Sequence, residues 1–406
     1  MVQSDHELNT DQVQAPVPAM FARIGLVAIF VSVCLPGFLV SFPQVPSLGP
    51  LSEIIFLVGL VFLASSIITA AAEGVSVDKR LWVPVGALLI SALLPVINQN
   101  ADFPGDNNGW FAAHVALICV LLSARFFSFR FIAGLLRLGM LASILTLVGG
   151  AAALSADERS LFPLVGRLRG VFHHPNMTGL VAVAFLLLSL RRSRWQKIDI
   201  LLSLLVIASA VSLTSWVAVG LGLCAWYVRG VAARFCTVAI GLLTLFVPAF
   251  LVLVMGPSLS PDLFTGRSGA WQWVLSLRID PLTGEGIGFF RTLGAGKLVE
   301  WDHGHNQLIM DYVSGGWPLV LTTVLILGSF GISAATRQDR LPLVMWCILI
   351  VQCVTEIPMF FTYPSGLMLS TTIIIVLISG GANDTPIPVQ RPVPKSKAAH
   401  VGGASG

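Results

Sequence analysis

The chain has 406 residues, 55% of them hydrophobic and 11% charged, and a formal net charge of +4. A soluble domain carries about 25% charged residues, and the mean hydropathy here is +0.86. Composition therefore excludes an ordinary soluble enzyme, and the small positive balance is no sign of a nucleic-acid partner. In a membrane protein the placement of the cations matters more than their sum.

The first twenty residues are polar, contain no Lys or Arg, and do not read as a signal peptide. They are expected to form a cytoplasmic segment, 1–20. About twelve apolar runs follow, at 21–40, 51–72, 81–98, 110–124, 131–154, 171–190, 198–213, 216–229, 235–255, 308–333, 341–356 and 366–381. Runs near 20 residues recur among them, and helices of that length cross a hydrocarbon core of roughly 30 Å. The expected fold is an all-α polytopic membrane protein with one membrane domain, 21–381. Spans seven and eight are short and separated only by Thr214 and Ser215, which predicts a tight hairpin. The tail 382–406 is rich in Pro, Ala, Gly and Ser, a composition that stays disordered. All six cysteines fall in apolar runs, with no disulfide framework and no CxxC metal signature.

Orientation follows from Lys and Arg. With the N-terminus inside, the inner segments hold Lys79, Arg80, Arg125, Arg130, Arg191, Arg192, Arg194, Lys197, Arg229, Arg234, Arg337 and Arg340, and the tail adds Arg391, Lys395 and Lys397. That alternation satisfies the positive-inside rule with both termini cytoplasmic. Arg137, inside span five, is expected to snorkel to the inner interface.

Two outer loops depart from the rule. The first, 155–176, holds Arg159, Arg167, Arg169, His173 and His174. The second, 256–307 between helices nine and ten, is the one long loop and holds Arg267, Arg278, Arg291, Lys297, His303 and His305. Cations facing outward oppose the topogenic bias. One reading is an anion site, because the guanidinium fork gives bidentate contacts to phosphate. The other is solvated charge paired with Asp157, Glu158, Asp262, Asp280 and Glu285. For "WDHGHNQ" (301–307), Asp302, His303 or Asn306 serves equally well as a helix cap. A metal site from His303, His305, Asp302, His173 and His174 is the weaker alternative, since HxH with one acid is a poor zinc signature. The N-M-T sequon at Asn176 abuts a span and carries little weight. A twelve-helix transporter is a competing class. Against it stand the long outer loop, no evident half-to-half repeat, and no acidic residue deep in a helix beyond marginal cases such as Glu356. A non-catalytic scaffold would not need Arg and His gathered on one face.

Three stretches appear together and in order. They are "RLRGVFHHPN" (167–176), "GRSGAW" (266–271), and "GEGIG" (284–288) followed by "HNQLIMDYVSGGWPL" (305–319). They resemble the Arg-x-x-Gly-x-Phe-x-x-Pro-Asn, Gly-Arg-x-x-x-Trp and closing His-Asn elements of the O-antigen ligase and O-antigen polymerase superfamily of bacterial membrane glycosyltransferases. The resemblance covers roughly 130–335. Two positions depart from it. Trp216 stands where many members carry arginine, and Ser314 stands where many carry an acid.

The resemblance implies a type-C glycosyltransferase fold in the inner membrane with its active site on the outer face. It implies transfer of a glycan from an undecaprenyl-diphosphate-linked donor to a glycolipid or glycan acceptor, inverting and without metal or cofactor. A ligase and a polymerase of the superfamily are not separated by these motifs. On this reading Arg167 and Arg267 stabilise the leaving diphosphate, with Arg169 as helper. His305 is the general base, because imidazole titrates near neutrality. Asn176 and His303 contact substrate, Asn306 fixes the turn or binds sugar, and Trp271 stacks on a sugar or plays a structural part. Gly286 and Gly288 are expected to permit a tight turn. The partners implied are the lipid-linked donor, the acceptor and membrane lipids, with no nucleic acid.

Overall fold

Each of the twelve apolar runs holds a helix. The computed structural model describes residues 17–40, 49–97, 105–147, 154–155, 166–172, 174–191, 195–261, 263, 267–295, 305–359 and 366–379. The tail 382–406, most of segment 1–20, and His303 lie outside these residues. In chain order the helices are α1 (Val17–Val40), α2 (Gly49–Ala72), α3 (Trp82–Ile97), α4 (Asn107–Ser123), α5 (Phe129–Leu145), α6 (Pro175–Ser189), α7 (Gln196–Ala210) and α8 (Leu213–Tyr227). They continue as α9 (Val231–Thr244), α10 (Val247–Met255), α11 (Arg267–Ser276), α12 (Phe289–Ala295), α13 (Gln307–Thr336), α14 (Leu341–Thr355) and α15 (Gly366–Ser379). The short helices α11 and α12 belong to the long loop.

Five helices among the described residues are long and apolar enough to cross a membrane: α1, α2, α3 with its leading turn, α4 and α13. The pair α9 and α10, bent by 49°, passes the same test as one broken span. Shorter apolar helices lie at Pro175–Ser189, Leu213–Tyr227, Leu341–Thr355 and Met368–Ser379. This is an all-α membrane protein.

The interior is built around α6, all of whose residues are buried. A helix apolar on every side has no face to give to water and sits inside a bundle. It packs between α5, α7, α8, α14 and α15. The outer helices present apolar side chains outward, among them Ile54, Leu57 and Val61 of α2 and Leu243, Phe250 and Leu253 of α9 and α10. Lipid, not water, suits such a belt.

Local chemistry shifts several expected boundaries. Span five does not run to residue 154. Its helix ends at Leu145, and Leu154–Ser155 form a strand, β1, antiparallel to β2 (Arg167–Leu168). Span six starts at Pro175 and not at 171, because Gly170–Phe172 wind into a 3-10 turn first. The turn between α7 and α8 falls at Val211–Ser212, ahead of Thr214 and Ser215. Val211 takes a left-handed φ of +46° and Ser212 caps α8 through Ser215 N–H. Arg137 does not simply snorkel. Its Nε and Nη2 grip both oxygens of Asp199 at 2.7 and 2.8 Å, and Asp199 is 1% exposed.

The two ends of the bundle differ in chemistry. One is laced by basic groups: Arg125 Nη1 donates to Ser76 O at 2.6 Å, Arg191 pairs with Asp339, Arg234 donates to Arg337 O, and Arg340 donates to Trp226 O at 3.2 Å. The other carries both loops that break the charge pattern.

Candidate functional site

The first loop motif is shaped by one close approach. Gly170 has φ +59°, and a Cβ there would fall 2.7 Å from Ser143 Oγ of α5. Only glycine lets the chain tuck in so tightly. The Ser143 hydroxyl also accepts from Val171 N–H at 3.3 Å, and the buried Phe172 ring lies against Gly139 of α5. The chain then enters α6 with His174 as its cap, Nδ1 accepting from Asn176 N–H at 3.2 Å, and Pro175 in the first turn. Proline is tolerated there because its missing N–H would have had no helical partner. Asn176 is thereby fixed in the first turn, 9% exposed.

Asn176 sits at the centre of a polar network. Its Oδ1 accepts from Arg167 Nη2 at 2.7 Å and from the Ser212 hydroxyl at 3.0 Å. Arg167 Nε reaches the carbonyl of Ala210 at 3.2 Å, across the α7–α8 turn. Asn176 Nδ2 donates to Glu356 Oε1 at 2.8 Å, and Arg267 Nη2 donates to the same oxygen at 2.8 Å. One arginine from each of the two loops that break the charge pattern thus meets at a single Asn–Glu pair. Two guanidinium groups face one carboxylate, so the cluster keeps a positive excess. Arg169 is exposed, and its carbonyl accepts from the Thr178 hydroxyl.

Arg267 opens α11, and its neighbour anchors it. The buried Ser268 hydroxyl lies 2.7, 2.9 and 3.0 Å from the carbonyls of Ser260, Pro261 and Leu263. Gly269 N–H adds a bond to Pro261 O at 3.1 Å. Four residues on, Trp271 is 3% exposed and packs in an apolar cluster with Phe290, Ile309, Met310 and Ile357. Its ring is covered by protein and ties α11 to α13.

The His-Asn pair stands at the mouth of α13. Asn306 is the cap: its Oδ1 accepts from Ile309 N–H at 3.1 Å, and its Nδ2 donates to Val354 O at 3.3 Å. Gln307 then bridges outward and inward. Its Oε1 accepts from Met359 N–H at 2.8 Å, and its Nε2 donates to Asp311 Oδ1 at 2.7 Å. Asn306 and Gln307 therefore clamp the 354–359 segment on both sides of Glu356. His305, half-buried, precedes the cap with φ +48°. That left-handed conformation is uncommon for a residue with a Cβ and clusters at functional sites.

The glycine step is docked into a break in α13. Gly315 and Gly316 leave helical geometry, Gly316 with φ +64°. The 280–286 turn fits the gap: Trp317 N–H donates to Pro281 O at 2.8 Å and Glu285 N–H to Val313 O at 2.6 Å. A Cβ on Gly284 would meet Gly315 N at 2.6 Å, and one on Gly316 would meet Pro281 O at 2.5 Å. Gly286 is left-handed at φ +90°, whereas no positive φ falls at Gly288. Asp280 closes the turn by accepting from Leu282 and Thr283 N–H at 2.8 and 3.0 Å. Those bonds hold its carboxyl below the usual carboxylate range.

Compared with protein-family models and with curated proteins, the chain matches none. Its chemistry has to be read from the residues themselves. Arg167, Asn176, Arg267 and Asn306 converge at one end of the bundle, and His305 adjoins them through Asn306. His303, Asp302 and His173 of the alternative metal set lie outside the described residues. Among the described residues no three His, Cys, Asp or Glu side chains gather as metal ligands. The sequon at Asn176 is occupied by internal hydrogen bonds, with Thr178 fully buried.

Sequence reasoning passed over Glu356 as a site residue, although the signal was there. It is the only charged side chain between Leu341 and Ser379, and a lone acid in so apolar a stretch needs a partner. Asp311 was missed in the same way. It is the only charged residue of α13, one turn inside it and 1% exposed. Ser212 gave no sign, because a serine in a turn is ordinary.

Proposed function

We propose that this chain is a metal-independent, inverting glycan transferase of the O-antigen ligase type. It crosses the inner membrane about twelve times with both termini cytoplasmic and the Arg167–Arg267 cluster on the outer face. Its donor is an undecaprenyl-diphosphate-linked glycan, and its acceptor is a hydroxyl of a glycolipid or glycan. The observation that carries the reading is the meeting of Arg167 and Arg267 at Asn176 and Glu356. Two arginines held in place beside one carboxylate supply preorganised positive charge where a lipid diphosphate would leave.

The residues divide the work. The acceptor oxygen attacks the anomeric carbon, and its proton passes to the imidazole of His305. The bond from that carbon to the diphosphate oxygen breaks, and the diphosphate departs with the electron pair. Arg167 and Arg267, with Arg169 as helper, stabilise that growing charge. Asn176 and Glu356 orient the guanidiniums, and Asn306 sets the backbone that presents His305. His303 is an accessory contact.

Deleting the gene and analysing lipid-linked glycans tests the reading. Full-length polymer stranded on its lipid is the expected result for a ligase. Stranded single repeat units would assign a polymerase of the same superfamily. Unchanged surface and lipid-linked glycan would remove both.

A further inference from the structure

The end of the bundle opposite the candidate site holds a pocket of about 470 Å³ that glycan transfer does not use. It lies between the 75–81 segment and the ends of α2, α4, α13 and α15. Among the described residues three guanidiniums line it, Arg80, Arg125 and Arg337, against one carboxylate, Asp78. Asp78 already accepts from Arg80 backbone N–H at 3.0 Å. Two of the arginines are fixed in place: Arg125 Nη1 donates to Ser76 O and Arg337 Nη2 to Ser379 O, both at 2.6 Å. Arg337 Nε is buried with no acceptor among the described residues. Burial and the neighbouring Arg80 hold the Arg337 guanidinium below its usual range. The described lining therefore carries unbalanced positive charge.

Its other wall is apolar, formed by Ile67, Ala70, Ala71, Leu81, Leu122 and Phe126. That wall continues along α2 into side chains facing outward from the bundle, with Ile68 68% and Val61 64% exposed. An occupant suited to both walls has an anionic head and a hydrocarbon body, and meets the protein where spanning helices end.

We propose that this pocket binds the phosphate group of an anionic membrane lipid, with an acyl chain lying along α2. A basic pocket between helix ends is the chemistry that selects such head groups, and guanidinium forks match phosphate oxygens. The site stands independently of the transfer reading.

The test is native mass spectrometry and thermal unfolding of the purified full-length chain. The probes are phosphatidylglycerol, phosphatidylcholine with the same acyl chains, and inorganic phosphate. Phosphatidylglycerol should be retained and should raise the midpoint, and the other two should not. Arg80→Gln should weaken its retention about fivefold, the contribution of one cation near an anionic head group. Arg80 makes no side-chain hydrogen bond among the described residues, so this variant should keep the wild-type midpoint without lipid. Arg229→Gln, an exposed cation at the same end but outside the pocket, should bind like wild type. Equal retention of phosphatidylcholine, or equal behaviour of the two variants, overturns the site. Stabilisation by inorganic phosphate alone would replace the lipid with a soluble anion and overturn the assignment as stated.

Discussion

Arg267 and Glu356 meet at 2.8 Å across 89 residues of sequence, and the carboxylate oxygen that receives Arg267 also receives Asn176. The pair joins the long loop to the end of α14, and through Asn176 to the start of α6 and to Arg167. Glu356 is the hinge of the cluster, since without it two donors lose their acceptor together.

Removing that acceptor should cost stability as well as activity. Breaking a buried ion pair from one side costs about 3–5 kcal/mol, and Glu356 is 3% exposed. Glu356→Ala should therefore lower stability by about 3 kcal/mol, and Glu356→Gln by less, because an amide oxygen still accepts. Denaturation of purified protein in detergent reads both. An alanine variant as stable as wild type would mean that the network does not hold the loops together.

Arg167 is tied at two points, Asn176 Oδ1 at 2.7 Å and Ala210 O at 3.2 Å. An ammonium cannot reproduce that fork. Arg167→Ala and Arg267→Ala should each reduce transfer by about 10²–10³ while the protein still accumulates in the membrane. Arg167→Lys should recover only part. Near-normal glycan transfer in both alanine variants would return these arginines to ordinary loop charges.

The docking of the 280–286 turn into α13 makes a separate forecast. Gly316 has a left-handed φ, and a Cβ would lie 2.5 Å from Pro281 O. Gly316→Ala should destabilise the fold by about 2 kcal/mol or more, combining the conformational penalty with overpacking against backbone. Gly328→Ala, with no atom nearer than 3.9 Å to the new Cβ, is the control. Equal unfolding midpoints for the two would count against the docked turn.

Much of this was readable from the sequence, and the failures have physical causes. Hydropathy located the helices because burial in lipid demands long apolar stretches. It did not see that α5 stops at Leu145 or that Leu154 joins a two-residue ladder, because apolarity says nothing about which backbone groups pair. Val211 closes the α7–α8 hairpin in a left-handed conformation that a β-branched residue rarely adopts, so attention fell on Thr214 and Ser215 instead. Arg167, Asn176, Arg267 and Asn306 were visible as motif residues. The shared acceptor of Asn176 and Arg267, Glu356, lies 180 residues from Asn176, and no local pattern announces so distant a contact.

Orientation is tested by cysteine labelling in intact cells, in a background lacking the six native cysteines. Thr283→Cys, on the exposed 280–284 turn, should react with an impermeant reagent. Lys197→Cys, at the exposed start of α7, should react only after lysis. The opposite pattern would place the arginine cluster in the cytoplasm, away from an outer-leaflet donor.

The most direct measurement concerns His305, whose backbone offers a clean separation of chemistry from fold. At φ +48° glycine fits without the steric penalty of a Cβ, so His305→Gly should remove the imidazole and keep the α13 cap intact. Purified protein in nanodiscs, given a lipid-diphosphate glycan and its acceptor, should show turnover reduced by about 10²–10⁴. Donor affinity and unfolding midpoint should stay close to wild type, because the proposed mechanism has the arginines, not His305, hold the diphosphate. Wild-type turnover should be unaffected by EDTA. Turnover retained by His305→Gly, or wild-type activity abolished by EDTA and restored by zinc, would contradict a metal-free general base at this position.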